Sequence, residues 1–88
     1  MKNFFSEVDD VTLTFSDIQQ RDGMDYIRIY FEKPIHDGFA YLESTLPALN
    51  IVATENFSNK ELQDLLQYAR TNAFLIWDIA REKEHKSA

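Results

Sequence analysis

The 41 residues that follow Pro47 contain neither glycine nor proline, the two residue types that most often interrupt a helix. Within that stretch Ser58-Asn59-Lys60-Glu61 has the form of a capping box. The serine hydroxyl can accept from the Glu61 N–H while the Glu61 carboxylate reaches back to the Ser58 N–H. Phe57 before the cap and Leu62 after it fit a hydrophobic staple. One long helix is expected over 58–85, with Arg81, Lys83 and Lys86 suited to the negative end of its dipole.

The apolar residues of that helix exceed what one contact face needs. Leu62, Leu65, Leu66, Ala69, Ala73, Ile76, Trp77 and Ala80 form one stripe, about 120° wide at roughly 100° per residue. Such a stripe suits a helix lying on a sheet. Tyr68, Leu75 and Ile79 make a second ridge with Asn72 between them, and Phe74 projects nearly opposite. A helix of about 26 residues is about 40 Å long, whereas strands of ordinary length span about 20–25 Å. The helix is therefore expected to overhang its sheet between Ala73 and Ala80 and to need a further covering surface. A second copy of the chain, packed about a two-fold axis, is the simplest one. Tyr68, Phe74, Leu75 and Ile79 would then form the dimer or partner contact. The alternative is a monomer in which Phe4, Phe5 and the loop around Leu46-Pro47 bury the second ridge.

Ahead of the helix the period changes from 3.6 to 2. Val11, Leu13 and Phe15 alternate with Thr12, Thr14 and Ser16, the pattern of a strand with one solvated side. Asp22-Gly23 reads as a turn. Ile27, Ile29 and Phe31 then alternate with Tyr26, Arg28, Tyr30 and Glu32, and Pro34 is expected to end that strand. His36-Asp37-Gly38 is a hairpin signal, Phe39 to Leu46 a third strand, and Leu49 to Thr54 a short fourth. Phe4 and Phe5 are compatible with an edge extension or with a cover over the core. The expected fold is α+β: an antiparallel four-stranded meander over residues 1–57, covered on one face by the C-terminal helix, in a single domain.

Charge is uneven. The net charge is −6. Residues 1–57 hold ten acids against four bases, and residues 58–88 hold five of each. Phosphate repels such a surface, so direct nucleic-acid binding is not expected, while a basic protein partner is compatible with it. The absence of cysteine excludes disulfides, thiolate zinc sites and thiol nucleophiles. The opening residues turn acidic before an apolar run develops, so no secretory signal is expected. No stretch has the length of a membrane span, and a cytoplasmic location is the expectation.

Little in the sequence points to catalysis. His36 and His85 lie in a turn and in the charged tail, without metal-ligand spacing. The acids at Asp9-Asp10 and around Asp22 and Asp25 lack the pattern of a calcium loop. Two glycines leave no room for a phosphate-cradling loop. No metal and no cofactor are expected. The open sheet face offers Tyr26, Arg28 and Tyr30 as a candidate recognition surface able to stack flat groups or grip a peptide. Phe57-Ser58 with Glu61-Leu62, then Asn72 and Ile76-Trp77, resembles the closing helix of small bacterial domains of unassigned function, some of them encoded near toxin–antitoxin genes. That resemblance spans about a third of the chain and brings no functional residue with it. The expected function is a non-enzymatic protein-interaction module, homodimeric through the C-terminal half of its helix. An acidic inhibitor or antitoxin-like blocker of a basic, nucleic-acid-handling partner is one alternative, and a small-molecule binder using the open sheet face is another.

Overall fold

The computed structural model describes residues 2–86, with side chains as far as Glu84. The side chains of His85 and Lys86 lie outside the described part. The elements follow in the order β1 (Lys2–Val8), β2 (Val11–Ser16), β3 (Gln19–Arg21), β4 (Met24–Ile35), β5 (Gly38–Leu46), β6 (Ile51–Glu55) and α1 (Asn59–Lys86). The class is α+β, an antiparallel sheet followed by one C-terminal helix. The sheet has six strands rather than the four expected, in the order β1-β2-β4-β5-β6, with β3 paired to β4.

The two additional strands have physical reasons to be hidden in the sequence. β1 pairs with β2 through a tight turn at Asp9-Asp10, whose φ values are 52° and 67°. Two consecutive positive φ values match the right-handed strand twist, and aspartate is one of the few residues that tolerate them. The register shifts between Phe4 and Ser6. This bulge breaks the two-residue period and lets Phe5 and Ser6 both serve the helix side. Phe5 meets Phe15 edge-on with ring centroids 6.5 Å apart. β3 is three polar residues that continue along the same side of β4 as β2 does.

Polar side chains hold the break between β2 and β3. The Arg28 N–H donates to Ser16 Oγ at 2.9 Å, and that hydroxyl donates to the Asp17 carbonyl at 2.8 Å. Asn3, nearly fully buried, donates through Nδ2 to the Phe15 carbonyl and to Asp17 Oδ1, both at 3.1 Å. The buried Asn3 and Ser16 are thus satisfied, as most buried polar groups are.

Pro34 does not end β4. The strand runs to Ile35, with Pro34 opposite Phe39. On the other side the last pair with β2 is Thr12 with Glu32. Pro34 lies beyond that ladder, where its missing N–H withdraws no bond. β4 therefore has 12 residues, about 40 Å at 3.3 Å per residue. α1 has 28 residues, about 42 Å, and the longest dimension of the molecule is 43 Å. The expected overhang of Ala73–Ala80 rested on shorter strands and does not occur: Ile76 and Ala80 are fully buried.

The core lies between one sheet face and α1. Leu13, Phe15, Ile27, Ile29, Phe31, Leu42 and Leu46 supply the sheet side, and Ala69, Ile76 and Ala80 the helix side. Alanines at two of the three fully buried helix positions allow close approach to the sheet. Both halves of the capping box are made: Ser58 Oγ accepts the Glu61 N–H at 3.1 Å, and Glu61 Oε1 accepts the Ser58 N–H at 2.8 Å. Phe57 and Leu62 both pack against the core. The bond from the Ser58 N–H, then that with the Ser58 side chain, holds the Glu61 carboxyl below the usual carboxylate range. A lowered folded-state pKa adds stability above the ordinary carboxylate range, and that stability is lost as pH falls through the folded value. Ser58→Ala is expected to cost about 1 kcal/mol in urea unfolding. In the variant, carboxyl NMR titration should place Glu61 closer to its ordinary value.

Candidate functional site

The helix covers one sheet face, and no described element covers the other. The uncovered face is ordered by register into cross-strand rows. One row runs Glu7, Thr12, Glu32, Tyr41, Glu55 across β1, β2, β4, β5 and β6. The next runs Phe4, Thr14, Tyr30, Glu43, Ala53. These two rows bring together residues far apart in the chain, four of them carboxylates.

Tyr26, Arg28 and Tyr30 share this face, as expected from alternation, but each is engaged within the chain. The Tyr26 hydroxyl donates to Gln19 Oε1 at 2.8 Å. Arg28 Nη1 is hydrogen-bonded and ion-paired to Glu43 Oε2. The Glu43 carboxylate, and after it the Tyr26 hydroxyl, raise the Arg28 pKa above its ordinary value. Arg28 is therefore a fixed positive charge that neutralises Glu43. Lys2 Nζ sits 4.2 Å from the Tyr30 ring centroid and 3.7 Å from Glu32 Oε1. All three candidate residues are half-buried. They form a braced platform more than a set of free recognition groups.

Free aromatic surface on this face belongs to residues outside that trio. Phe4 is 66% exposed and Phe39 60%, and Tyr41 is also exposed. A concavity of about 200 Å³ lies beside Tyr41, lined among others by Lys2, Tyr30, Glu32 and Glu43. Phe4 sits three strands from Tyr41 in the sheet order, about 14 Å at 4.8 Å per strand. The strict alternation of Phe39 and Tyr41 with Ala40 and Leu42 places both outward, and that much is visible in the sequence. The position of Phe4 is not, because it depends on the bulge in β1.

The residues expected to form a helix contact separate into two groups. Tyr68 packs against the core, and its hydroxyl donates to Ser6 Oγ at 3.0 Å. Ile79 also packs against the core. Phe74, 76% exposed, and Leu75, 51% exposed, remain outside. Of the second ridge only Leu75 thus stays exposed, with Phe74, which lies off that ridge, exposed next to it in the chain.

Among the described residues, no group of three or more His, Asp or Glu side chains is placed to hold a metal ion. His36 is exposed in the β4–β5 turn beside Asp37, at 3.8 Å. No described helix is long and apolar enough to cross a membrane. Comparison with protein-family models, with curated protein sequences and with solved structures finds no match to this chain.

Proposed function

We propose that this chain is a small, non-enzymatic protein-interaction module whose open sheet face takes a basic segment of a partner protein. The observation that carries the reading is the row Glu7–Glu32–Tyr41–Glu55 on an uncovered face. Four carboxylates share that face with two cations, Lys2 and Arg28, and both cations are already paired. An incoming Lys or Arg meets unmatched carboxylates at Glu7 and Glu55 and an exposed ring at Tyr41. Both arrangements favour a cation. A net charge of −6 adds long-range attraction for a basic surface and repulsion from nucleic acid. A nucleic-acid-handling partner held this way has its phosphate-binding surface occupied, which is how the inhibitor reading follows from the same face.

Fluorescence anisotropy with a labelled arginine-rich peptide tests this. Binding is expected to weaken with salt. The variant Glu7→Gln, Glu32→Gln, Glu55→Gln should lose affinity by about tenfold or more. A control with Asp37→Asn, Asp78→Asn and Glu82→Gln changes the net charge equally but away from the row, and should stay within about twofold. Equal losses in both variants, or no binding by the parent at low salt, overturn the proposal.

A second reading rests on Phe74 and Leu75, adjacent exposed apolar residues on α1. They are compatible with a homodimer through the C-terminal half of the helix, with Tyr68 and Ile79 beneath rather than within the contact. Light scattering should then give a dimer mass that falls to the monomer in Phe74→Glu, Leu75→Glu. A parent protein already monomeric at high micromolar concentration removes this reading.

A further inference from the structure

A separate cleft opens on the helix side of the sheet, where the β1–β2 hairpin tip meets the first half of α1. Its volume is about 180 Å³, comparable to the roughly 150 Å³ apolar cavity that suffices for a benzene ring. The deepest lining is Leu13 and Phe31, both buried, with Val11 and Leu65 beside them. The polar groups lie elsewhere in the lining. Asp9 enters from the tight turn and Asp64 from α1. Tyr68 and Ser6, hydrogen-bonded to each other, complete the polar set. Because the phenol donates its proton to Ser6, its oxygen keeps a lone pair for an incoming donor. Neither lysine nor arginine lines the cleft.

We propose that this cleft binds a small organic ammonium ion, a single ring or short alkyl chain seated on the apolar floor with its ammonium toward Asp9 and Asp64. Charge selects the occupant. A carboxylate or phosphate in the same space meets two lining anions, and the nearest cation, Lys60, is outside the lining and already engaged by Asp64. A neutral apolar molecule fills the floor but leaves the carboxylates without a new partner. An ammonium carries three donors, and the carboxylates and the Tyr68 oxygen are acceptors. Asp64 is paired with Lys60 at 2.9 and 3.0 Å, with both side chains largely exposed. Such i,i+4 surface pairs are weak, so Lys60 competes with the ligand without excluding it.

The probe is 2-phenylethylamine, titrated as its hydrochloride into the full chain and followed by amide NMR. Saturable shifts are expected at Ser6, Val11, Leu65 and Tyr68. The isosteric 2-phenylethanol should bind about tenfold or more weaker, and phenylacetate weaker still. The variant Asp9→Asn, Asp64→Asn should lose amine affinity by about tenfold while keeping its fold, since asparagine also tolerates the positive φ at position 9. Lys60→Gln should change affinity in the opposite direction, tightening amine binding by about two- to threefold. Equal affinity for amine and alcohol overturns the proposal. So does amine binding unaffected by the double asparagine variant, or the absence of saturable shifts at these four residues.

Discussion

Ile76→Glu is expected to abolish cooperative folding near neutral pH, while Phe74→Glu leaves the unfolding midpoint almost unchanged. The two positions are two residues apart, yet Ile76 is fully buried and Phe74 is 76% exposed. At position 76 the substitution removes a buried aliphatic side chain and inserts a carboxylate into the apolar core cluster. The combined penalty is about 4–5 kcal/mol or more. A chain of 88 residues has a total stability of about 4–13 kcal/mol at 0.05–0.15 kcal/mol per residue. Loss of most or all of the urea transition is therefore the expected result. Partial recovery should appear on acidification: a buried glutamate has a folded-state pKa raised above its unfolded value, so protonation favours the folded state as pH falls. A midpoint for Ile76→Glu close to that of the parent would mean that the helix does not lie on the sheet through this residue.

The same contrast explains which parts of the helix could be read from sequence. The stripe from Leu62 to Ala80 is a local property, fixed by 3.6-residue periodicity, and the structure places its centre at Ala69, Ile76 and Ala80. Whether the second ridge is covered is not local. It depends on how far the strands reach, and that depends on Pro34 sitting beyond the β2 ladder and on β1 existing at all. Four strands were legible, β2, β4 and β5 because they carry alternation over at least part of their length and β6 because it is a short apolar run. β1 was not, because Phe4, Phe5 and Ser6 straddle a bulge, and β3 was not, because Gln19, Gln20 and Arg21 bury little. The turn at Asp9-Asp10 was legible in principle: two consecutive residues tolerant of positive φ lie between Val8 and Val11, which pair across it.

For the candidate site, alternation alone placed Tyr26, Arg28 and Tyr30 on one face. Their partners came only with register. Arg28 finds Glu43 because residues 28 and 45 are paired and Glu43 is a diagonal neighbour on the same face. Lys2 reaches Tyr30 and Glu32 across β2. A sequence shows which residues favour a sheet surface, but whether a charge there is free or neutralised is a cross-strand fact. That is why attention moves from the braced trio to the row of Glu7, Glu32, Tyr41 and Glu55.

Removing residues 2–8 should be nearly as damaging as a charge in the core, although β1 is an edge strand. Its loss strips the Phe5 ring from Phe15 and the Asn3 bonds from the Phe15 carbonyl and Asp17. It also takes Ser6 from Tyr68. A fully buried phenylalanine contributes about 1.5–3 kcal/mol, so the partly buried Phe5 contributes toward the lower end of that range. Each lost hydrogen bond costs about 0.5–1.5 kcal/mol, more where it is made to a charged group. The sum approaches the low end of the stability available to a chain this size. Moreover, β2 becomes the edge, with alternating apolar side chains and no charged residue between Val11 and Ser16, a template for pairing with other chains. The expected outcome is loss of amide dispersion in NMR, with light scattering reporting association. Phe4→Ala is the matching control, because Phe4 is exposed on the opposite side of β1 and should move the midpoint by less than about 0.5 kcal/mol. A truncated chain that stays dispersed, monomeric and near the parent midpoint would show that the core is closed by β2 and the helix alone, with β1 an accessory to the open face and the cleft.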